Sequence, residues 1–434
     1  MEAILLIEIN PGLLVVLAFM ILIMLRAPVF VALGFPPLAY LIIYDFPIVF
    51  VSQRLVRTLN SFTLLAIPLF IFVGALMNHG KITDKIFAFS NNIVGHFQGG
   101  LAQVNIVTSL IFSGISGSAL ADIGGVGRIL IKAMEQEDYD SGFAAALTSA
   151  SATVGPIFPP SIPLIIFGLV AQVSVLSLLL AGILPALLAT AVLMVGTLLI
   201  ARWQGLPRHN DQASFSTILD SFTDALPALM TPVVLLVGMF VGIFGPTEAA
   251  AATVAYIILV NVFWYRIRQL KYIWTAGLET VKTTGTIIVI LASAGLFSWV
   301  ISAENVDAIF ASFIFSFSQN PLVVLLLVNV LLIILGLFLE PIAAMIMSIP
   351  IVVPPLVDLG LDPVHVGVIV VFNLMIGLLT PPLGLSIFLS AEIAETEVQD
   401  VISEIKVYYV MLLIVLALIT YVPALTLALP DLAL

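Results

Sequence analysis

The stretch from residue 111 to residue 168 reads IFSGISGSALADIGGVGRILIKAMEQEDYDSGFAAALTSASATVGPIFPPSIPLIIFG. It is strongly apolar, but a Ser/Gly cluster with an Asp interrupts it, and so does a later Gly-Pro-x-x-Pro-Pro sequence. Inside a bilayer, irregular backbone is tolerated only where it is buried in protein or lines a cavity. If the chain spans a membrane, both interruptions therefore lie inside the protein.

A second stretch, from residue 333 to residue 390, has the same shape. Four pairs of identical residues are separated by the same 222 positions: Gly114 and Gly336, Gly155 and Gly377, Pro159 and Pro381, Pro160 and Pro382. Four matches at one offset, with no gap, indicate an internal duplication. In membrane transporters, the binding site is typically formed by a pair of apolar segments, one in each half of the chain, that are interrupted by Gly and Pro at corresponding positions.

The composition excludes a soluble domain. Of the 434 residues, 62% are hydrophobic and 9% are charged, whereas soluble proteins contain about 25% charged residues. Apolar runs of the ~20 residues that a bilayer requires fill most of the chain. The absence of cysteine excludes disulfides and thiolate metal sites. The apolar runs imply contact with the lipid bilayer. The net charge of −11 leaves no basic patch, so we expect no contact with nucleic acid.

The order of the apolar runs predicts an all-α polytopic membrane protein. We place a first repeat at residues 1–201, a cytoplasmic connecting loop at 202–221 and a second repeat at 222–434. The first repeat is predicted to contain spans at 3–25, 28–52 and 62–78, an amphipathic helix, a re-entrant helical hairpin at 103–135, a broken span at 141–175 and a span at 177–201. The second is predicted to contain spans at 222–245, 246–265 and 277–300, an amphipathic stretch at 304–318, a hairpin at 321–357, a broken span at 364–395 and a span at 404–428.

The repeat is predicted to be inverted. Because the hairpins do not cross, the first repeat has an odd number of crossings, and the second repeat starts on the opposite face. Binding sites in inverted repeats form near the middle of the membrane. With the N-terminus outside, most basic residues lie inside: Arg26, Lys81, Lys85, Arg202, Arg208, Arg266, Arg268, Lys271 and Lys406. Only Arg54 and Arg57 lie outside, so the positive-inside rule supports this orientation.

Small and polar residues cluster at the tip of the first hairpin and the start of its return helix, at Ser113, Ser116, Gly117, Ser118 and Asp122. Ser116 or Ser118 would cap the return helix, whose amide groups and positive dipole end would then face the cavity. Such a helix end suits a carboxylate, and unwound carbonyl oxygens suit Na⁺. Small residues also let helices pack closely, so the glycines alone fit either a site or a packing contact.

Two acidic residues lie at the hairpin breaks, and ionisable residues inside a membrane are functional by default. Asp122 either ligates Na⁺ or anchors the loop by accepting backbone N–H bonds, and we favour the anchoring role. Glu340 is the offset partner of Ser118; it either belongs to the site or reaches the interface, and we favour the site. The candidate substrate-binding residues are Ser116, Ser118, Asp122, Thr153 and Glu340.

Two proline-rich breaks, at 155–161 and 377–384, interrupt two spans at the same point of the repeat. Proline removes an amide donor and frees a carbonyl one turn back. Two such breaks opposite two hairpin tips would supply clusters of carbonyl oxygens without charged ligands. A single break would be a plain kink, but a duplicated pair indicates a site.

The sequence Gly114-Ile115-Ser116-Gly117 matches the G-x-S-G pattern of rhomboid intramembrane proteases. A serine nucleophile needs a histidine within hydrogen-bond reach. His365 is predicted at the outer end of a span, whereas Ser116 is predicted at a tip that opens inward. We therefore expect no enzyme activity, and the serine protease is only a remote alternative. The chain also lacks the G-x-x-x-x-G-K-[ST] loop of ATP-hydrolysing proteins.

Taken in order, the motifs resemble those of the large membrane subunit of TRAP transporters, of the DctM/SiaM type. They are SGSALADIGGVG at 116–127, GPIFPPSIPLIIFG at 155–168, GPTEAAA at 245–251, Gly336 to Pro341 with Pro350 and Pro354, and GLLTPPLG at 377–384. The resemblance covers essentially the whole chain. The first hairpin departs from the usual pattern in having Gly124, Gly125 and Gly127 where Ala is common, which suggests a more flexible return helix.

The resemblance implies an elevator-type, Na⁺-driven importer of organic acids, such as C4-dicarboxylates or sialic acid, in the bacterial or archaeal inner membrane. It implies a small four-helix membrane subunit and a periplasmic substrate-binding protein as partners, and we expect no fused small subunit because no four-span extension precedes Met1. Scaffold spans would lie at 1–60 and 222–265, and transport-domain elements at 62–175 and 277–395. The candidate Na⁺ ligands, largely backbone carbonyls, are Ser116, Gly117, Ser118, Gly155, Pro156, Gly377, Thr380 and Pro381. A single-component Na⁺/dicarboxylate symporter is the alternative.

Overall fold

The computed structural model describes residues 10–80, 82–206, 213–267, 269–381 and 384–433, and the elements in those ranges are all helices. The predicted all-α class is therefore confirmed. Within the described ranges, seven helices are long and apolar enough to cross a membrane, and two bent helix pairs would add two more spans.

The first repeat contains helices that match the predicted order of spans, hairpin and broken span. They are α1 (Pro11–Met24), α2 (Val29–Ile43), α3 (Ile48–Leu59), α4 (Ala66–Asn78), α5 (Ile82–Val94), α6 (Gly100–Ser116), α7 (Ala119–Asp122), α8 (Arg128–Gln136), α9 (Ser141–Ala152), α10 (Ile162–Ala171) and α11 (Val175–Gln204). The first hairpin consists of α6 and the return arm α7–α8. The first broken span consists of α9 and α10, which are bent by 44°.

The second repeat follows the same order. Its helices are α12 (Phe215–Phe240), α13 (Pro246–Leu259), α14 (Lys271–Ala303), α15 (Val306–Phe317), α16 (Pro321–Phe338), α17 (Pro341–Asp358), α18 (Pro363–Gly377), α19 (Leu385–Ala394), α20 (Val398–Tyr421) and α21 (Ala424–Ala433). The second hairpin consists of α16 and the return arm α17, and the second broken span of α18 and α19.

Two predicted spans are each divided into two helices in the structure. The span predicted at 28–52 is divided into α2 and α3, because Asp45 adopts a left-handed conformation with φ +56° and Pro47 precedes the new helix. None of the residues of α3 is buried, and its polar side chains lie on one face, as in a helix at a membrane interface. The span predicted at 404–428 begins earlier and divides at Pro423 into α20 and α21.

The broken span of each repeat packs on its own hairpin and on the hairpin of the other repeat. Within each repeat the first hairpin arm packs on the first half of the broken span, α6 on α9 and α16 on α18. Between the repeats, α10 packs on the return arm α17, and α19 packs on the return arm α8. Likewise α9 contacts α20 and α18 contacts α11. This exchange of partners is expected of two repeats related by a pseudo-two-fold axis.

Candidate functional site

The first hairpin turns back at Gly117 and Ser118, within the break that the sequence predicts. Gly117 has φ +65°, a left-handed conformation that glycine adopts without strain. The Ser118 hydroxyl accepts a hydrogen bond from the Ala121 backbone N–H at 3.4 Å, so Ser118 caps the return arm. Ser116 is the last residue of α6, and its side chain is outside the part that the structure describes.

The tip of the first hairpin touches the first broken span. A Cβ atom placed on Gly117 would lie 2.7 Å from Cγ1 of Ile162, the first residue of α10. Real Cβ atoms do not approach a neighbour so closely, so any other residue would displace Ile162 as well as strain the backbone at φ +65°. The two elements that the sequence predicts to face each other are therefore in direct contact.

Asp122, the last residue of α7 in the return arm, is buried, with 3% of its surface exposed. Its backbone N–H donates to the Ser118 carbonyl at 3.1 Å. A π-helical turn at Ile123–Gly127 follows it, and such turns are frequent at functional sites. A Cβ atom on Gly127 would lie 2.8 Å from Thr148 Cγ2. The glycine thus lets the return arm approach α9 closely, which is a packing reason for its presence.

The second hairpin has the same cap geometry with a different side chain. The Glu340 carboxylate accepts a hydrogen bond from the Ala343 backbone N–H at 3.2 Å and is the N-cap of α17. Glu340 is half-buried. A carboxylate at a helix N-terminus is stabilised by the helix dipole as well as by the hydrogen bond. The offset partners Ser118 and Glu340 therefore occupy equivalent positions.

The first break brings backbone oxygens to the interior. Gly155 and Pro156 are buried in a short 3₁₀ turn after α9. The Ser161 hydroxyl accepts from the Leu164 N–H at 3.1 Å and donates to the Pro156 carbonyl, so Ser161 fixes the return of the chain into α10. A carbonyl oxygen has two lone pairs, so the Pro156 oxygen can accept a second partner.

The second break uses hydroxyls in a similar way. The Thr380 hydroxyl donates to the Ile376 carbonyl at 3.0 Å. The Ser386 hydroxyl donates to the Leu378 carbonyl at 2.7 Å, which holds the start of α19 against the end of α18. Pro382, one of the offset matches, lies outside the described residues.

The second hairpin meets its broken span at a pair of glycines. A Cβ atom on Gly377 would lie 2.6 Å from the Gly336 Cα, and one on Gly336 would lie 2.9 Å from the Gly377 Cα. The two backbones are therefore in contact at the end of α18. Pro381 follows four residues later and is exposed. Of the candidate Na⁺ ligands in this repeat, Gly377 is at the hairpin contact and Thr380 is one turn further along.

A buried polar network joins α6 to α9. The Asn105 side-chain amide donates to the Thr148 hydroxyl at 2.7 Å, and the Ser151 hydroxyl donates to the Asn105 side-chain oxygen at 3.0 Å. Ser109 and Ser151 lie 3.0 Å apart through their hydroxyls. The hydroxyls of Thr148 and Ser151 therefore form hydrogen bonds that link the broken span to the hairpin arm.

A second polar network joins α16, α18 and α20. The Asn373 amide donates to the Asn329 side-chain oxygen at 2.9 Å, and the Asn329 amide donates to the Thr420 hydroxyl at 3.0 Å. Sequence reasoning did not select Asn105, Asn329 or Asn373. A lone Asn inside an apolar helix, as in VIVVFNLMIG at 368–377, was the signal that could have found them.

Thr153 has a local hydrogen-bond partner, whereas the partner of Ser149 lies on another helix. The Thr153 hydroxyl is fully buried and donates to the Ala150 carbonyl at 2.7 Å. The Ser149 hydroxyl lies 2.8 Å from the Ser390 hydroxyl and ties α9 to α19. The Thr153 oxygen retains lone pairs beside the first break, so its candidate role stays a prediction.

The oxygen atoms at the tips and breaks are hydroxyls, backbone carbonyls and two carboxylates. Hard cations prefer such oxygen ligands, so the donor set fits Na⁺. Among the described residues, no group of three or more His, Cys, Asp or Glu side chains could hold a metal ion. His365 is buried at the first turn of α18, where its Nδ1 lies 2.7 Å from the Thr426 hydroxyl.

Residues 16–425 match the family model described as "Tripartite ATP-independent periplasmic transporter, DctM component". The chain belongs to this family. It is similar to the sialic acid TRAP transporter large permease protein SiaM of Vibrio cholerae, with 40% identity over 93% of this chain and 95% of SiaM. It is also similar to the C4-dicarboxylate TRAP transporter large permease protein DctM of Pseudomonas aeruginosa, with 36% identity over 87% of this chain and 88% of that protein.

The fold is also found in a solved structure. The YdaH transporter of Alcanivorax borkumensis, described as having an unusual topology, aligns with a TM-score of 0.62 and 15% identity over 95% of this chain and 97% of YdaH. At this identity the comparison concerns the fold alone.

The chain is therefore a large permease subunit of a TRAP transporter and not an enzyme. The TRAP large permease family works with a small membrane subunit and a periplasmic binding protein. The chain is a multi-pass protein of a bacterial transporter, which implies the inner membrane.

Proposed function

We propose that this TRAP permease subunit imports an organic acid together with Na⁺ by an elevator movement of its hairpins and broken spans. The observation on which this proposal depends is the equivalent capping of the two hairpin return arms by Ser118 and Glu340. Related permeases are named for sialic acid, C4-dicarboxylates and 2,3-diketo-L-gulonate, which are all organic acids.

The substrate carboxylate is proposed to lie near the hairpin tips. The N-terminus of the first return arm directs backbone N–H groups and a positive partial charge toward the bound acid. Ser116, Ser118, Asp122, Thr153 and Glu340 are the proposed substrate-binding residues. Because Asp122 and Glu340 are acidic, their proposed role is to hold the tip and the cation beside the substrate.

Na⁺ is proposed to bind between each hairpin tip and its broken span. Support comes from the contact of Gly117 with Ile162 in one repeat and of Gly336 with Gly377 in the other. The proposed ligands are oxygens of Ser116, Gly117, Ser118, Gly155, Pro156, Gly377, Thr380 and Pro381. Binding of the cation would then tighten the same contacts that close the tips over the substrate.

The proposed moving unit comprises the hairpins and the broken spans. The cross-repeat packing of α10 on α17 and of α19 on α8 supports their movement as one body. The proposed orientation has the N-terminus outside. Helix ends with Arg26, Arg202, Arg266 and Lys271 then lie on the inner face, and α3 lies on the outer face.

Reconstituted uptake tests this proposal. The full chain, with its small subunit and the binding protein from the same organism, is placed in liposomes that contain K⁺ and are diluted into Na⁺ buffer. We expect uptake of radiolabelled sialic acid or succinate with an inward Na⁺ gradient and loss of that uptake when choline replaces Na⁺. Equal uptake with a proton gradient alone would contradict Na⁺ coupling, and full uptake without the binding protein would favour a single-component symporter.

A further inference from the structure

A cavity of about 950 Å³ lies between α3, the C-terminal half of α14 and the turn that joins α10 to α11. Its volume is in the range of ~300–1,000 Å³ that sites for small organic ligands occupy. The second return arm, α17, contributes Ile346 to its wall. We call it the arginine cavity, because Arg54 and Arg57 line it. It borders both a predicted scaffold element, α3, and predicted transport-domain elements.

Helix α3, which carries Arg54 and Arg57, packs directly on α14. A Cβ atom on Gly295 would lie 2.0 Å from the Thr58 hydroxyl oxygen, so α3 crosses α14 at this glycine. Residues three apart on a helix share a face. Arg54 and Arg57 are therefore presented together beside the crossing.

Aromatic rings hold one of the two guanidinium groups. The Arg54 guanidinium carbon lies 5.0 Å from the centre of the Phe50 ring and 5.5 Å from that of the Trp299 ring. Phe50 and Trp299 pack edge to face at 4.7 Å. This cation–π stacking orients a half-buried Arg54, whereas Arg57 is exposed. One arginine is thus fixed in the wall and the other is free to adjust.

The two positive charges have no acidic partner in the described ranges. None of the ion pairs formed there includes Arg54 or Arg57, and the described lining residues include no Asp or Glu. Glu304, at the adjacent end of α14, hydrogen-bonds to the Tyr40 hydroxyl. Two guanidinium groups in a partly apolar wall attract an anion, and their planar donor geometry matches a carboxylate.

The uncharged polar side chains of the cavity fit the same kind of ligand. Ser61, Ser298 and Ser302 add hydroxyl groups to its wall. Hydroxyls donate to and accept from the polar substituents of an organic acid. The lining therefore combines a cationic end with neutral hydrogen-bonding groups.

We propose that the arginine cavity is an outer receiving site, in which Arg54 and Arg57 bind the carboxylate of an organic acid before it reaches the hairpin tips. The assignment of the ligand and of the outer face depends on the proposed function. The cationic character of the cavity follows from its own residues.

The absence of cysteine allows a direct test by labelling. Ser298→Cys places a single thiol in the cavity, and Gln319→Cys places one in the exposed turn between α15 and α16 as a control. The purified full-length variants react in neutral detergent with two membrane-impermeant methanethiosulfonates, one with a sulfonate and one with a trimethylammonium group. We expect the anionic reagent to be favoured at Ser298→Cys at least ~10-fold more than at Gln319→Cys, because clustered charge of one sign raises local counter-ion concentration.

Substitution of the arginines tests their role. We combine Ser298→Cys with Arg54→Gln or with Arg57→Gln. Each combination is expected to lower the preference for the anionic over the cationic reagent toward the value measured at Gln319→Cys. Because Arg54 packs on Trp299, its variant can misfold, but Arg57 is exposed and its variant keeps the test decisive. An unchanged preference in a folded Arg57→Gln variant would overturn the proposal.

Protection identifies the ligand. Succinate and sialic acid are expected to slow labelling at Ser298→Cys, whereas erythritol, a neutral polyol, is not. Protection by phosphatidylglycerol vesicles but not by either acid, relative to phosphatidylcholine vesicles, would assign the cavity to a lipid headgroup and overturn the proposal. Labelling of Ser298→Cys by the impermeant reagents in intact cells tests the outer face. No step requires Na⁺ or the binding protein, so this test and the uptake test can fail separately.

Discussion

Ser118 and Glu340 lie 222 residues apart and make the same hydrogen bond. Each accepts from the backbone N–H three residues later, of Ala121 or Ala343, and each is the N-cap of a hairpin return arm. One cap is a neutral hydroxyl and the other is a carboxylate. The two caps therefore share their geometry but differ in charge.

Replacing the N-cap residue of the first hairpin is predicted to lower the apparent affinity of uptake for Na⁺. Ser118→Ala removes an N-cap, which typically costs about 1 kcal/mol of stability. It also removes a proposed Na⁺ ligand, so we expect the Na⁺ concentration for half-maximal uptake to rise at least ~10-fold, which corresponds to about 1.4 kcal/mol. Thr380→Ala is expected to do the same at the second break. The measurement is Na⁺-dependent uptake in proteoliposomes.

A matched control separates capping from ion binding. Ser214 caps α12 by accepting from the Thr217 N–H at 3.2 Å, at the end of the segment that joins the repeats. Ser214→Ala is expected to cause a similar loss of stability and to leave the Na⁺ dependence unchanged. Equal Na⁺ dependence in Ser118→Ala and Ser214→Ala would reduce Ser118 to a structural cap.

Substitutions at Glu340 are predicted to separate the effect of its negative charge from the effect of its N-cap hydrogen bond. Glu340→Gln keeps an acceptor oxygen for the Ala343 N–H, whereas Glu340→Ala loses it. We expect Gln to retain the thermal stability of the parent and Ala to lose about 1 kcal/mol. If the charge helps to bind Na⁺, both variants have impaired Na⁺-dependent uptake. Normal uptake in Glu340→Gln would show that only the cap matters.

The sequence predicted the hairpins and the broken spans because their signals are local. Gly and Pro interrupt apolar runs at fixed positions, and the duplication shows that the interruptions at 155–161 and 377–384 are not chance events. The division of the span at 28–52 was missed because α2 and the start of α3 are both apolar. Only the left-handed Asp45 and the amphipathic pattern after Pro47 separate them.

The polar networks and the arginine cavity could not be predicted in the same way. The partners Asn329 and Asn373 are 44 residues apart, and their contact depends on the register in which α16 packs on α18. The arginine cavity is formed by several elements, so the residues that share its wall are not grouped in the sequence. Apolar periodicity selects helices but does not specify which faces meet.

The second polar network is predicted to contribute a measurable coupling energy. Asn329→Ala, Thr420→Ala and the double variant form a cycle for the 3.0 Å hydrogen bond between α16 and α20. Interhelical hydrogen bonds in membrane proteins average about 0.6 kcal/mol and reach about 1.7 kcal/mol. Because Asn329 also accepts from Asn373, we expect a value near the upper end. Unfolding in mixed micelles measures the coupling, and a value of zero would contradict it.

The contact between Gly336 and Gly377 is predicted to be intolerant of a methyl group. Gly336→Ala and Gly377→Ala each place a Cβ atom less than 3 Å from the opposing Cα, at 2.9 and 2.6 Å. Overpacking of this kind costs about 1–3 kcal/mol, and the separation of α16 from α18 would open the proposed second Na⁺ site. We expect loss of Na⁺-driven uptake together with a lower unfolding temperature.

Gly285→Ala in α14 is the control, because a Cβ atom there meets nothing within 4 Å. Alanine is favoured over glycine in helix interiors by about 0.5–1 kcal/mol, so Gly285→Ala should be neutral or stabilising. Normal uptake in Gly377→Ala would show that the close approach is not needed for transport.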